Sequence, residues 1–274
     1  MSHIVAVQLP GFRESTFTYD GLTRPVYAGG TGPAVIVIHE IPGLHPQVVE
    51  FAQRVVDAGF SVRMPSLFGT PGREVSVGYT LGTLAKACVA NEFTAFALDR
   101  TSPVIGWLRR LAAEAHEQCG GPGVGAVGMC FTGGFALGMM VDDTMLAPVL
   151  SQPSLPFPVS PSRRRSVGIS DADLTRVKER AARGACLLGL RFTEDTAVPP
   201  ARFETLRREL GDAFIAVEID SSKGNPHGIS RMAHSVLTQH FVDEAGHPTS
   251  EALDRVLAFF AERLRPSPAK GEQA

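Results

Sequence analysis

Val124-Gly125-Ala126-Val127-Gly128-Met129-Cys130-Phe131-Thr132-Gly133-Gly134 is the stretch whose reading decides the fold. The apolar run 124–127 predicts a strand, and Ala136, Leu137, Met139 and Met140 predict a helix after it. Between them stands Gly128-x-Cys130-x-x-Gly133-Gly134, close to the G-x-S-x-G nucleophile elbow with cysteine in place of serine. A nucleophile on so tight a strand-to-helix turn sits in strained backbone. Side chains two residues before it and a few after it would collide, which is why glycine is needed there. The turn also sets the sulfur at a helix N-terminus, where free N–H groups and the helix dipole favour a thiolate. The Phe131 N–H is the natural first oxyanion donor. A glycine-rich βα turn around an inert buried cysteine is the competing reading of the local motif.

Outward from the elbow, strands alternate with helices. Residues 4–30 read as a β-rich lead-in, with Phe17-Thr18-Tyr19 and Pro25-Val26-Tyr27 flanking the turn dipeptide Asp20-Gly21. Residues 34–38, Ala-Val-Ile-Val-Ile, are apolar without alternation, as in a parallel strand covered on both faces. A helix follows with Val48, Val49, Ala52, Val55 and Val56 on one stripe and Gly59 beyond its end. A short strand at 60–65 leads into a loop at 66–78, and helices are predicted over 84–98 and from Ser102-Pro103 to about 118. A strand at 145–150 precedes a stretch at 151–166 rich in proline and arginine. This reads as a surface excursion, part of an insertion at 151–183 suited to a flap over the site. Ser170 and Asp173 open a helix in capping-box style. Strands at 185–192 and 214–219, a helix from Pro199 to 210, and a last amphipathic helix at 250–264 complete the pattern.

The implied architecture is one α/β domain over 1–265, a mostly parallel sheet with helices on both faces, followed by a disordered polar tail at 266–274. Composition narrows the function classes. In 274 residues, 26 Lys and Arg nearly balance 28 Asp and Glu, so nothing points to nucleic acid or an anionic membrane. No apolar run is long enough to span a bilayer, and the N-terminus lacks a signal peptide pattern. Cys88, Cys119, Cys130 and Cys186 show no CxxC spacing, so neither a disulfide framework nor a zinc site is expected. The expectation is a cytoplasmic, metal-independent and cofactor-independent protein acting on a small molecule, as a monomer or homodimer.

In parallel sheets chemistry gathers at the carboxyl ends of strands. Four predicted strands end there in reactive residues: His39-Glu40, Cys130, Asp195 and the loop carrying His227. Nucleophile, acid and histidine thus occur in the order Cys130, Asp195, His227, the chain order of the α/β-hydrolase fold. Each also has a plain structural reading, Asp195 as a cap or turn residue and His227 as a solvated loop residue. His227, in the flexible Gly224-Asn225-Pro226-His227-Gly228, is the preferred base. His234, read as helical, is its rival, with His240 and His247 further off. Asp195 is preferred to its neighbour Glu194 as the acid.

Together, His39-Glu40-Ile41-Pro42-Gly43, Gly128-Met129-Cys130-Phe131-Thr132-Gly133-Gly134, Asp195-Thr196-Ala197-Val198-Pro199 and His227-Gly228 resemble the dienelactone hydrolase family, α/β-hydrolases with a Cys-His-Asp triad. The resemblance implies hydrolysis of an ester or lactone through a cysteinyl acyl-enzyme. A thioesterase or carboxylesterase on the same triad, or a non-catalytic relative that binds a small molecule, are the alternatives. It further implies that Glu40 accepts the thiol proton when substrate arrives and that the Ile41 N–H is the second oxyanion donor. The plainer reading of Glu40 is a charge near the start of the following helix. The family's archetype binds an anionic lactone through two arginines. Arg231, four residues after His227, matches one of them, and Arg73 lies in the region of the other.

Overall fold

The computed structural model describes residues 8–89 and 102–265. Its hairpin comes first: β1 (Arg13–Tyr19) and β2 (Leu22–Gly29) pair antiparallel across a two-residue loop. Asp20 and Gly21 both have positive φ (49° and 74°), the backbone that matches the twist of the flanking strands. β3 (Ala34–Ile38), β4 (Ser61–Pro65), β5 (Val124–Met129), β6 (Met145–Ser151), β7 (Leu187–Phe192) and β8 (Phe214–Ile219) complete an eight-stranded sheet of order β1-β2-β4-β3-β5-β6-β7-β8. From β4 to β8 all neighbours are parallel, and β2 alone runs against the other strands.

Eight helices are described: α1 (Pro46–Asp57), α2 (Val77–Val89), α3 (Pro103–Cys119), α4 (Phe135–Met139), α5 (Pro161–Arg165), α6 (Asp171–Ala182), α7 (Pro200–Leu210) and α8 (Pro248–Leu264). The alternating side chains of β3 divide the interior. Val35 and Val37 join Val48 of α1 and Phe259 of α8, whereas Ile36 and Ile38 join Trp107 of α3 and Phe203 of α7. Helices therefore cover both faces, and every residue of β3 is inaccessible to water.

The differences from the sequence reading are local. α2 begins at Val77, seven residues before the expected Leu84, and the expected continuation to 98 falls outside the described residues beyond 89. The tail expected at 266–274 and residues 4–7 of the lead-in also lie outside them. Ser102 precedes α3 as an extended residue with Pro103 in the first turn, and Ser170 accepts from the Asp173 N–H at the start of α6.

The proline- and arginine-rich segment is a surface excursion only in its second half, where residues 157–166 are half-buried or exposed. Residues 151–156 are buried, and the fully buried guanidinium of Arg202 on α7 donates to the carbonyls of Pro153, Pro156, Arg163 and Ser166. The prolines have no N–H with which to join a ladder, so their carbonyls are satisfied by a side chain instead. Arg202→Ala should strand those carbonyls away from water and cost about 2–4 kcal/mol. Thermal denaturation would show this as a fall of several degrees; an unchanged melting temperature would mean the segment does not depend on this clamp.

Candidate active site

β5 ends at the elbow. Cys130 has φ 53°, an unusual conformation for a residue with a side chain, and opens a single 3₁₀ turn through Thr132 before α4. The crowding foreseen around it is concrete. A Cβ on Gly128 would lie 2.2 Å from the Thr132 carbonyl oxygen, and one on Gly133 would lie 2.5 Å from the Pro153 Cα. The buried Thr132 hydroxyl accepts from the Met129 N–H (3.1 Å) and lies 3.0 Å and 3.1 Å from the carbonyls of Ile38 and His39, which ties the elbow to the end of β3.

Beyond β7, the loop turns back through hydrogen bonds from Asp195 N–H to the Phe192 carbonyl and from Val198 N–H to the Asp195 carbonyl. Asp195 is 7% exposed; one of its carboxylate oxygens accepts from the Ala197 N–H at 2.9 Å. The other accepts from His234 Nδ1 at 2.6 Å. The second ring nitrogen of His234 is thereby left free of Asp195, and Cys130 is near enough to act on the ring through its charge. Burial presses the His234 imidazolium to give up its proton. The charge on Cys130 and the Asp195 hydrogen bond outweigh that pressure and hold its pKa well above the ordinary value. Imidazole and carboxylate are thus bonded at the carboxyl rim of the sheet, with the Cys130 charge acting on the imidazole.

The structure corrects the choice of histidine. His227 is exposed, and its ring lies edge-on against His247 at 5.5 Å, at the start of α8, away from Asp195. The physical reason is anchorage. Ala233, Val236 and Leu237 are buried in the core around His234, whereas Asn225-Pro226-His227-Gly228 is held chiefly by Asn225 to its own loop. His234 is also not helical, because residues 233–241 form an irregular run of turns. His240 organises that run, its Nδ1 accepting from the N–H groups of His234 and Ser235. The apolar spacing that suggested a helix was the signal that could have singled out His234, as the histidine whose neighbours are packed.

Arg231 is corrected with it. It precedes His234 by three residues, is 63% exposed, and pairs with Glu194 at 2.8 Å, so the spacing argument built on His227 does not hold. Glu194, the rejected neighbour of Asp195, faces that arginine instead of a histidine.

Glu40 and Ile41 follow β3 in a buried loop. Glu40 is 1% exposed and accepts from four donors. His45 Nε2 (3.1 Å) and the Thr238 hydroxyl meet one oxygen; Gln152 Nε2 (3.2 Å) and the Ser235 hydroxyl (2.7 Å) meet the other. His45, not Glu40, occupies the N-cap position of α1. Burial pushes the Glu40 carboxyl up, but the hydrogen bonds of His45, Thr238 and Ser235 prevail and leave its pKa below the ordinary value. Phe131 packs edge-on between Phe68 (5.7 Å) and Phe157 (6.4 Å), an aromatic wall beside the elbow. Phe68 also borders a cleft lined by Arg24, Arg73 and Lys86, in which Arg73 lies over the Tyr79 ring at 4.1 Å. Cys130 and Ser154 approach within 3.7 Å. Among the described residues no group of three or more His, Cys, Asp and Glu side chains is arranged to hold a metal ion, and no helix is long and apolar enough to cross a membrane.

His39 supports the loop from behind. Its Nε2 accepts from the Leu67 N–H at 3.0 Å and its Nδ1 bonds the Glu40 carbonyl at 2.9 Å. Burial pushes its pKa down to about 4, and that of His240 is lowered for the same reason. Between pH 6.5 and 4 the unfolded chain therefore takes up a proton that folded His39 refuses. Stability should be full above pH 6.5 and fall as pH drops to about 4, by about 3 kcal/mol from His39 alone. The raised pKa of His234 acts in the opposite sense but only above pH 6.5. Urea denaturation across this window should show the loss, and His39→Gln should flatten it; an equal slope in the variant would refute the assignment.

Comparisons place this fold among known proteins. The family model for the dienelactone hydrolase family matches residues 22–264. A Klebsiella pneumoniae structure, a dienelactone hydrolase by assignment, superposes with a TM-score of 0.63 at 19% identity, covering 92% of this chain and 98% of that one. The dienelactone hydrolase of Anabaena variabilis gives a TM-score of 0.57 at 17% identity, over 93% of this chain and 100% of its own. A fragment from Escherichia coli strain K12, YghX, a hydrolase by assignment, is 39% identical over 57 residues; the match covers 19% of this chain and about half, 49%, of that protein.

Proposed function

We propose that this chain, which belongs to the dienelactone hydrolase family, cleaves an ester or lactone through an acyl-enzyme on Cys130, with His234 as acid and base and Asp195 orienting it. The observation that carries the reading is the pairing of His234 with Asp195 beside the elbow. A buried carboxylate sits 2.6 Å from His234, whose imidazolium is favoured in turn by the charge of a cysteine held at positive φ.

The steps follow from these contacts. The thiolate of Cys130 adds to the acyl carbonyl carbon while His234 is imidazolium, a charge that Asp195 stabilises. The Phe131 N–H, aided by that of Ile41, receives the oxyanion. The carbon–oxygen bond to the leaving group breaks, and His234 gives its proton to the departing alkoxide oxygen, leaving a thioester on Cys130. Neutral His234 then takes a proton from water as the water oxygen adds to the thioester. Collapse expels the thiolate, restores the ion pair and frees the acid.

For the acyl group, the aromatic wall of Phe68, Phe131 and Phe157 favours a flat or apolar body. The cations Arg24, Arg73 and Lys86 beyond Phe68 favour a negatively charged end. An anionic ester or lactone meets both demands. Arg231, held by Glu194, is given no part in this reading.

A panel of p-nitrophenyl esters, acyl thioesters, and neutral and carboxylate-bearing lactones tests this. Cys130→Ala should abolish turnover with the melting temperature kept. His234→Ala should lower kcat by about 10²–10⁴-fold, and His227→Ala should stay near wild type. Turnover surviving Cys130→Ala, or lost in His227→Ala but not in His234→Ala, would sink the mechanism. Equal kcat/KM for neutral and anionic lactones would remove the charge preference.

A further inference from the structure

We propose that Glu40 is a positioning residue: its carboxylate holds the loop that carries His234 against the elbow, and it does not receive the proton of Cys130. This rests on His234 being the base.

A carboxylate offers about four lone-pair sites. At Glu40 four donors stand on them, two to each oxygen: His45 and Thr238 on Oε1, Gln152 and Ser235 on Oε2. To take the thiol proton the carboxylate would have to give up one of these bonds inside a site sealed from water, where a stranded donor is costly. Its depressed pKa makes it a weak proton acceptor besides. Titratable neighbours on every side belong to the same assembly: His45 bonds it directly, His39 adjoins it in sequence, and His240 lies behind the loop that it grips.

What the four donors have in common is position. Ser235 follows His234 directly, and Thr238 closes the same loop three residues later. Gln152 leads β6 into the proline-rich segment, and its side-chain oxygen accepts from the Val236 N–H at 3.4 Å while its main-chain N–H donates to the Leu190 carbonyl at 2.8 Å. His45 is steered by Gln47 at 2.8 Å. One buried charge thereby joins the loop after β3, the loop after β6 and the loop of the base. Asp195 sets the orientation of the His234 ring. Glu40 sets the place of the backbone that bears it.

Two roles for Glu40 make opposite forecasts for variants that leave Glu40 intact. As an anchor acting through Ser235 and Thr238, it is disabled by Ser235→Ala or Thr238→Val as well as by Glu40→Gln. As a thiol base, it is disabled by Glu40→Gln alone. We expect Ser235→Ala and Glu40→Gln each to lower kcat on p-nitrophenyl acetate by about 10- to 100-fold, with KM changed much less. The double variant should be little worse than the poorer single one. The pH profile of Cys130 alkylation by iodoacetamide should move in the same direction in both, because both displace His234 from the sulfur. Wild-type kcat and alkylation profile in Ser235→Ala and Thr238→Val, with loss confined to Glu40→Gln, would overturn the proposal, as would wild-type kinetics in all three. If Glu40→Gln fails to fold, the two hydroxyl variants still decide. Turnover that survives Cys130→Ala would instead remove the mechanism above, so the two failures are distinguishable.

Discussion

A charge sealed from water has to be matched by donors, and the position of those donors is then no longer free. Glu40 imposes that constraint on this molecule. It sits at the end of β3, the most deeply buried strand, and draws side chains from 112 to 198 residues further along the chain onto one carboxylate. Each of the three joined loops is irregular, and none has a ladder of its own to hold it. Hydrophobic packing brings them together without choosing a register, because it is non-directional. Hydrogen bonds to a charge supply the direction. The loop of His234 therefore combines two kinds of restraint, apolar burial of Ala233, Val236 and Leu237 and polar capture of Ser235 and Thr238.

The elbow solves a related problem by sterics. Holding Cys130 at φ 53° is unfavourable for a residue with a Cβ, so the surroundings must over-determine it. They do so from both sides. Gly128 and Gly133 let the chain close to distances at which any side chain would collide, and the Thr132 hydroxyl bridges the turn to the end of β3. The Cys130 carbonyl is held as well, by the N–H groups of Gly133 and Ser154. Cys130 thus stands on a turn with little freedom.

The sheet was legible in the sequence because its signals are local. The unbroken apolar run 34–38 identifies a doubly covered strand, Asp20-Gly21 a tight hairpin, and Gly128 and Gly133 a crowded turn. The histidine that meets Asp195 was not legible, because tertiary packing decides which one reaches it. His227 sits in a histidine-glycine pair that matches a family pattern, yet it and its direct neighbours Pro226 and Gly228 are exposed. His234 lies in a stretch whose buried alanine, valine and leucine imitate one face of a helix. Periodicity reports burial, and burial at that spacing is shared by a helix and by an irregular loop pressed onto a core. Residue type alone could not reveal the full set of partners of Glu40, since serine, threonine and glutamine in loops are ordinarily solvated.

Arginine shows the same limit from the opposite direction. The clustered arginines and prolines at 151–166 suggested a solvated excursion, and Arg231 suggested a ligand. In the fold, Arg231 pairs with Glu194 near the surface. The arginine that matters to the segment is Arg202, distant in sequence and 1% exposed. A guanidinium presents five N–H donors in a rigid fork, so it can satisfy several carbonyls that prolines leave without ladder partners. Arg180 does the same for the carbonyls of Met140, Asp143 and Met145 around the start of β6. β6 is thus gripped at its beginning by Arg180, and the chain beyond its end by Arg202, with Gln152 just before that second clamp and Ser154 inside it. Gln152 reaches Glu40 and Ser154 reaches Cys130, so a clamp that looks remote from the elbow sets the platform on which both contacts are made.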